Sequence, residues 1–170
     1  MQRPQHRARA GFTLIEILCV VVIFSIAAAI VLANMGNSGD LQAQSAARQI
    51  MADLLYAQNQ AIATQQNTYV YFNTAGHTYA LYKPWGTYLT NPISHGNYSA
   101  NWSSADWTVS SASFGGHPAI YFDSLGEPWS CDNSGNNGAL LSSTGTVQIT
   151  SSGATVTISI QPSTGDMTVQ

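Results

Sequence analysis

Residues 12–33 read FTLIEILCVVVIFSIAAAIVLA, an almost unbroken apolar run with one carboxylate, Glu16, close to its start. As an α-helix this run would rise about 33 Å at 1.5 Å per residue, enough to cross a bilayer core of about 30 Å. Residues 1–11, MQRPQHRARAG, precede it and carry Arg3, Arg7 and Arg9, three of the five basic residues of the chain. Arginines on that flank predict a cytoplasmic N-terminus and a C-terminal domain sent outward. The expected organisation is therefore a leader (1–11), a transmembrane and assembly helix (12–33), and a domain beyond.

Glu16 is the residue out of place, because a carboxylate in a membrane segment is costly and marks function by default. If the chain is cut after Gly11, the new amine belongs to Phe12, four residues before Glu16. That amine is positive near neutral pH and can pair with a carboxylate of a neighbouring helix, while the positive end of the helix dipole favours Glu16 where it stands. The hexapeptide Gly11-Phe12-Thr13-Leu14-Ile15-Glu16 resembles the class III signal of type IV pilins and pseudopilins. In that family a prepilin peptidase cuts after the glycine and methylates the new N-terminal phenylalanine. The resemblance implies cleavage between Gly11 and Phe12, N-methylation of Phe12, and a subunit-docking role for Glu16. Two other readings use the same basic start and apolar core: a secretory signal peptide ending at Val31-Leu32-Ala33, and an uncleaved anchor. The mature N-terminus distinguishes the three, as methylated Phe12, Asn34 or Met1.

Composition fits a domain that works outside the cytoplasm. The chain is 45% hydrophobic but only 8% charged, which excludes a charge-rich disordered protein. Ser, Thr, Asn and Gly fill the gap. Beyond residue 33, Arg48 and Lys83 stand against Asp40, Asp53, Asp106, Asp123, Glu127, Asp132 and Asp166, leaving a net charge of −5. Such a domain repels phosphate backbones, so nucleic acid is not favoured as a partner.

Asn34-Met35-Gly36-Asn37-Ser38-Gly39 weakens a helix, and Ser38 or Asp40 can cap a new one. From there Leu41, Ala47, Ile50, Met51, Leu54, Leu55, Ala61 and Ile62 recur at three- and four-residue steps, predicting an amphipathic helix over 34–66 whose stripe packs on a sheet. After residue 66 the period becomes two. Thr68–Thr74 and His77–Tyr82 read as a hairpin about Ala75-Gly76. Thr108–Phe114, Ala119–Asp123, Thr146–Thr150, Ala154–Gln161 and Met167–Val169 read as further strands, with 162–165 as the last turn. Residues 83–106 and 126–137 read as long polar loops. The expected class is α+β: a long N-terminal helix, half membrane and half amphipathic, packed on an antiparallel β-sheet domain (67–170).

Residues 46–62, AARQIMADLLYAQNQAI, resemble the helix of GspH/FimT-type minor pseudopilins. Residues 122–128, FDSLGEP, and 158–167, ISIQPSTGDM, resemble that family's two C-terminal strand-and-turn signatures. The resemblance implies a pilin-like fold and a structural subunit of a type II secretion pseudopilus, anchored in the inner membrane with a periplasmic domain. Its implied partners are other pseudopilins or pilins and the prepilin peptidase. The alternative is a minor type IV pilin serving pilus assembly, adhesion or DNA uptake. Two departures weaken the DNA reading: Arg48 is the lone arginine of the helix, and Asp166 stands where the family often has a basic residue.

No catalytic constellation emerges, so no enzymatic activity, metal or cofactor is expected. His77, His95 and His117 lack a partner at metal-ligand spacing. Asp132-Asn133-Ser134-Gly135-Asn136-Asn137-Gly138 alternates oxygen ligands like the start of a calcium loop, but its glycine falls at position seven and no glutamate follows at twelve, which favours a polar turn. Cys19 and Cys131 do not make a credible pair, because one lies in the apolar run and the other in the distal domain. Trp85, Trp102, Trp107 and Trp129 lie in or beside the long loops, where edge-of-core packing is favoured over a partner or glycan contact.

Overall fold

The computed structural model describes residues 12–34 and 38–170, with side chains in the first segment described from Phe12 to Ala29. Helix α1 spans Leu14–Asn34 and belongs to one compact unit. A second unit, Ser38–Gln170, opens with α2 (Ser38–Thr64).

Helix α1 starts at Thr13, whose carbonyl accepts from Ile17 N (3.2 Å) and whose hydroxyl accepts from Glu16 N (3.3 Å). Thr13 is thus the N-cap. The hydroxyl of Ser25 donates back to the Val21 carbonyl at 2.7 Å, which satisfies a polar group in an otherwise apolar stretch. Every described α1 side chain is exposed, Leu14 at 84% and Phe24 at 70%. Among the described residues no helix is long and apolar enough to cross a membrane.

Helix α2 begins at Ser38, inside the predicted span, and ends at Thr64, where Gln65 turns left-handed (φ 54°) and Gln66 N donates to Ala61 O at 3.3 Å. That is a Schellman-type stop with glutamine in the place glycine usually takes. The buried face differs from the predicted stripe. Its seam is Gly39, Ala43, Ala46, Ala47, Ile50, Leu54, Ala57 and Ala61. Leu41, Leu55 and Ile62, expected inside, are exposed at 68%, 37% and 42%. Small side chains let the helix axis approach the sheets closely, and the larger ones are left on the flanks.

Ten strands follow: β1 (Thr68–Asn73), β2 (Thr78–Tyr82), β3 (Ser99–Asn101), β4 (Thr108–Ser113), β5 (Ala119–Phe122), β6 (Pro128–Cys131), β7 (Ala139–Leu140), β8 (Gly145–Ser151), β9 (Ala154–Ile160) and β10 (Met167–Val169). They form two sheets where the sequence predicted one. The first is six-stranded, β3-β2-β1-β5-β6-β7, and the second four-stranded, β10-β9-β8-β4, with every pairing antiparallel. Helix α2 lies against β1 and β5 of one and β8, β9 and β10 of the other. Its seam joins Val70, Phe72, Ile120, Phe122, Val147, Ile149, Ile158 and Ile160 in a single core.

Strands β3, β6 and β7 fall largely within or just beyond segments read as loops. Each has two to four residues and sits among Gly, Asn, Ser and Pro, which read as loop. Pro128 opens β6, a strand position that tolerates a missing N–H. The β1–β2 turn is closed by Asn73, whose Oδ1 accepts from Gly76 N at 2.9 Å, with His77 left-handed (φ 53°).

Candidate assembly interface

Glu16 occupies the third helical position of α1, where a carboxylate faces the positive end of the helix dipole. Thr13-Leu14-Ile15-Glu16 is therefore a T-x-x-E capping signature, a local role for Glu16 that the sequence analysis did not assign. Phe12 sits just before the cap and is 78% exposed. Leu14, Ile17, Leu18, Val21 and Val22 continue from it at helical spacing and form a shallow apolar groove along one side. Gly11, the predicted cleavage residue, lies outside the described residues.

In the second unit the two signature turns meet on one side chain of α2. Gln58 Nε2 donates to Gly126 O at 3.0 Å and reaches Thr164 O at 3.3 Å. Gly165 is left-handed (φ 69°), and a Cβ there would come within 2.6 Å of Gln58 Nε2 and 3.1 Å of Gly126 O, so this turn needs glycine. Asp123 closes the other turn by accepting from Leu125 N (2.9 Å) and Glu127 N (3.0 Å). Segments 122–128 and 158–167, far apart in sequence, are thus joined by a residue of the 46–62 helix.

A profile described as "Type II transport protein GspH" matches residues 46–165. The chain belongs to that family. A second profile, "Prokaryotic N-terminal methylation motif", matches residues 6–32. Together they make the chain a GspH/FimT-type, type IV pilin-like pseudopilin. No curated protein and no solved structure matches it. In this GspH-family chain, Gln58 is the functional-looking polar residue that the sequence did not single out. A glutamine on the polar margin of an apolar stripe gives no signal until the turns it holds are known.

The helix is also tied to the first sheet by a carboxylate. Tyr98 donates to Asp53 Oδ1 at 2.9 Å, and Tyr79 donates to Asp53 Oδ2. Burial, followed by the Asp53 charge, pushes the Tyr79 hydroxyl far above its ordinary value, and burial with the same hydrogen bond raises Tyr98. Both phenols therefore stay neutral donors.

The other candidate residues serve their own loops. Asp132 Oδ1 accepts from Ser134 N (2.8 Å) and Asn136 N (2.9 Å), and Oδ2 accepts from Asn137 Nδ2 (2.8 Å). The backbone bond from Asn136 leads in holding its carboxyl below the usual range. Among the described residues no three His, Cys, Asp or Glu side chains are grouped to hold a metal. His77 and His95 take left-handed turn positions, and His117 bridges to Phe114. Cys19 and Cys131 are both free, the first exposed, the second buried with its thiol pushed up to about 12 by burial. Trp102 is buried and stacks between Tyr79 (6.0 Å) and Trp107 (5.9 Å). Trp85 and Trp129 instead pack on tyrosines of the first sheet.

Proposed function

We propose that this chain is a non-enzymatic structural subunit, a minor pseudopilin of a type II secretion pseudopilus. Prepilin peptidase removes residues 1–11, cutting between Gly11 and Phe12, and methylates Phe12. Residues 12–33 then anchor the chain in the inner membrane with the β domain in the periplasm, until pseudopilins assemble through the same helix. Lipid is as apolar as these side chains, so packing shape and polar contacts drive helix association there. Glu16 sets the register by meeting the Phe12 amine of an adjacent subunit.

The observation that carries this reading is the arrangement at the start of α1: an exposed Phe12, a capped first turn, and one carboxylate at the head of an apolar groove. The match of 46–165 to a type II transport family favours a secretion pseudopilus over a type IV pilus.

Glu16→Ala should leave membrane insertion intact and abolish cross-linking into the assembly. Glu16→Gln distinguishes docking from capping, since glutamine keeps the capping geometry and loses the charge. Normal assembly of Glu16→Gln refutes the charge-pairing role. A native N-terminus other than methylated Phe12 in mass spectrometry refutes the processing step.

A further inference from the structure

The face of the first sheet turned away from α2 carries a trough whose origin is the strand register. Tyr71 pairs with Ala80, and Ala80 with Ser99, so one cross-strand row has a methyl and a hydroxymethyl group between larger neighbours. One flank of that row is aromatic: Tyr69 opposes Tyr82, and Tyr82 bridges to Tyr88. The other is polar, with Asn73 opposite Thr78. Ala80 is on this outer face yet only 6% exposed, which breaks the alternation of β2 and marks the floor of a walled depression. The depression measures about 230 Å³ and has no charged residue in its lining.

The aromatic wall is braced from behind. Trp85 packs on Tyr82 (5.2 Å between ring centres) and on Tyr71 (5.9 Å), and Tyr88 lies 4.9 Å from Tyr82. A ligand would therefore meet rings already held in place, at little cost in side-chain ordering. Burial, with Tyr88 alongside, pushes the Tyr82 hydroxyl up to about 12, so it stays neutral at physiological pH. On the polar wall Asn73 Oδ1 is taken by Gly76 N, and among the described residues its amide nitrogen, which lies beside Gly76, makes no hydrogen bond of its own.

We propose that this trough binds one residue of a neutral carbohydrate, with its C–H face on the tyrosine wall and its hydroxyls on Asn73, Thr78 and Ser99. A purely apolar ligand would strand those polar groups. A phosphate or an acidic sugar would find no cation in the lining. The volume is below the roughly 300 Å³ at which drug-sized pockets begin, and suits one ring-sized unit of a longer chain. The site is independent of α1 and of the secretion reading.

The test uses the full mature chain in a sugar-free zwitterionic detergent, titrated calorimetrically with maltohexaose, cellohexaose and chitohexaose. At least one should bind saturably, with an affinity that does not change as salt is raised. Tyr88→Ala, at a side chain 42% exposed, should weaken binding by about five- to tenfold. Ala80→Leu, which fills the floor, should abolish it. If Ala80→Leu fails to fold by circular dichroism, Tyr88→Ala alone decides. Absence of binding to all three sugars overturns the proposal, as does binding that Tyr88→Ala leaves unchanged. Saturable binding of a neutral Gly-Ser-Asn peptide in their place assigns the trough to a protein strand and overturns it equally.

Discussion

Helices α1 and α2 are of comparable length, 21 and 27 residues, and use apolar side chains in opposite ways. Helix α1 is apolar on all sides, with large branched residues, and every described side chain is exposed. Helix α2 is about half polar and buries a seam in which alanines outnumber every other residue type. The difference shows that how apolar a helix is and how well it packs are separate properties. A helix meant for close approach to sheets is built from small residues, whereas one coated in Leu, Ile, Val and Phe is stable only against lipid or other helices.

That contrast can be broken at several points. The largest effect should come from Leu54→Ala in the α2 seam, about 2–5 kcal/mol of lost domain stability in urea unfolding. Ile23→Ala in α1 should leave the same unfolding curve unmoved, and a comparable loss there would erase the distinction. Enlarging the seam with Ala57→Leu should cost about 1–3 kcal/mol, because a buried alanine facing two sheets has no room for extra methylenes. Gln58→Ala should cost about 1 kcal/mol and speed amide exchange in the turns around Gly126 and Gly165, since it removes the donor they share. The smallest effect concerns acid. The folded Asp132 carboxyl titrates below its unfolded value of about 3.9, so its contribution is complete above that pH and fades as pH falls through the lower folded value. Asp132→Asn should therefore lower stability slightly at neutral pH, leave it unchanged in strong acid and so flatten the acid limb, and an acid limb that keeps its slope would mean that another carboxylate sets it.

The apolar run, the Gly11–Glu16 hexapeptide and the period change near residue 66 were legible because each is a pattern over neighbouring residues. Seven strands were legible for the same reason. Strands β3, β6 and β7 were not, since they lie within or beside polar segments rich in Gly, Asn, Ser and Pro, and Pro128 argues against a strand. The division into two sheets was equally hidden, because it depends on β5 joining β1 and β4 joining β8, pairings set by tertiary packing. The stripe on α2 was located but misjudged in width: hydrophobicity ranks Leu41 and Ile62 above Ala43 and Ala57, whereas close packing selects the smaller pair. Of the candidate interface, Phe12 and Glu16 were readable from the leader pattern, the Thr13 cap was present as T-x-x-E but went unused, and Gln58 needed the fold.

The first turn of the domain is seated on the β8–β9 hairpin. A Cβ at Gly39 would come within 2.7 Å of Ser151 O, and the Ser151 hydroxyl donates to Asp106 O at 2.7 Å with Gln42 Oε1 at 3.0 Å. Any pull applied through the preceding chain reaches the globular part at this seat, before it reaches the aliphatic interior. Resistance to such a pull therefore begins with a glycine, a serine and a glutamine at the threshold.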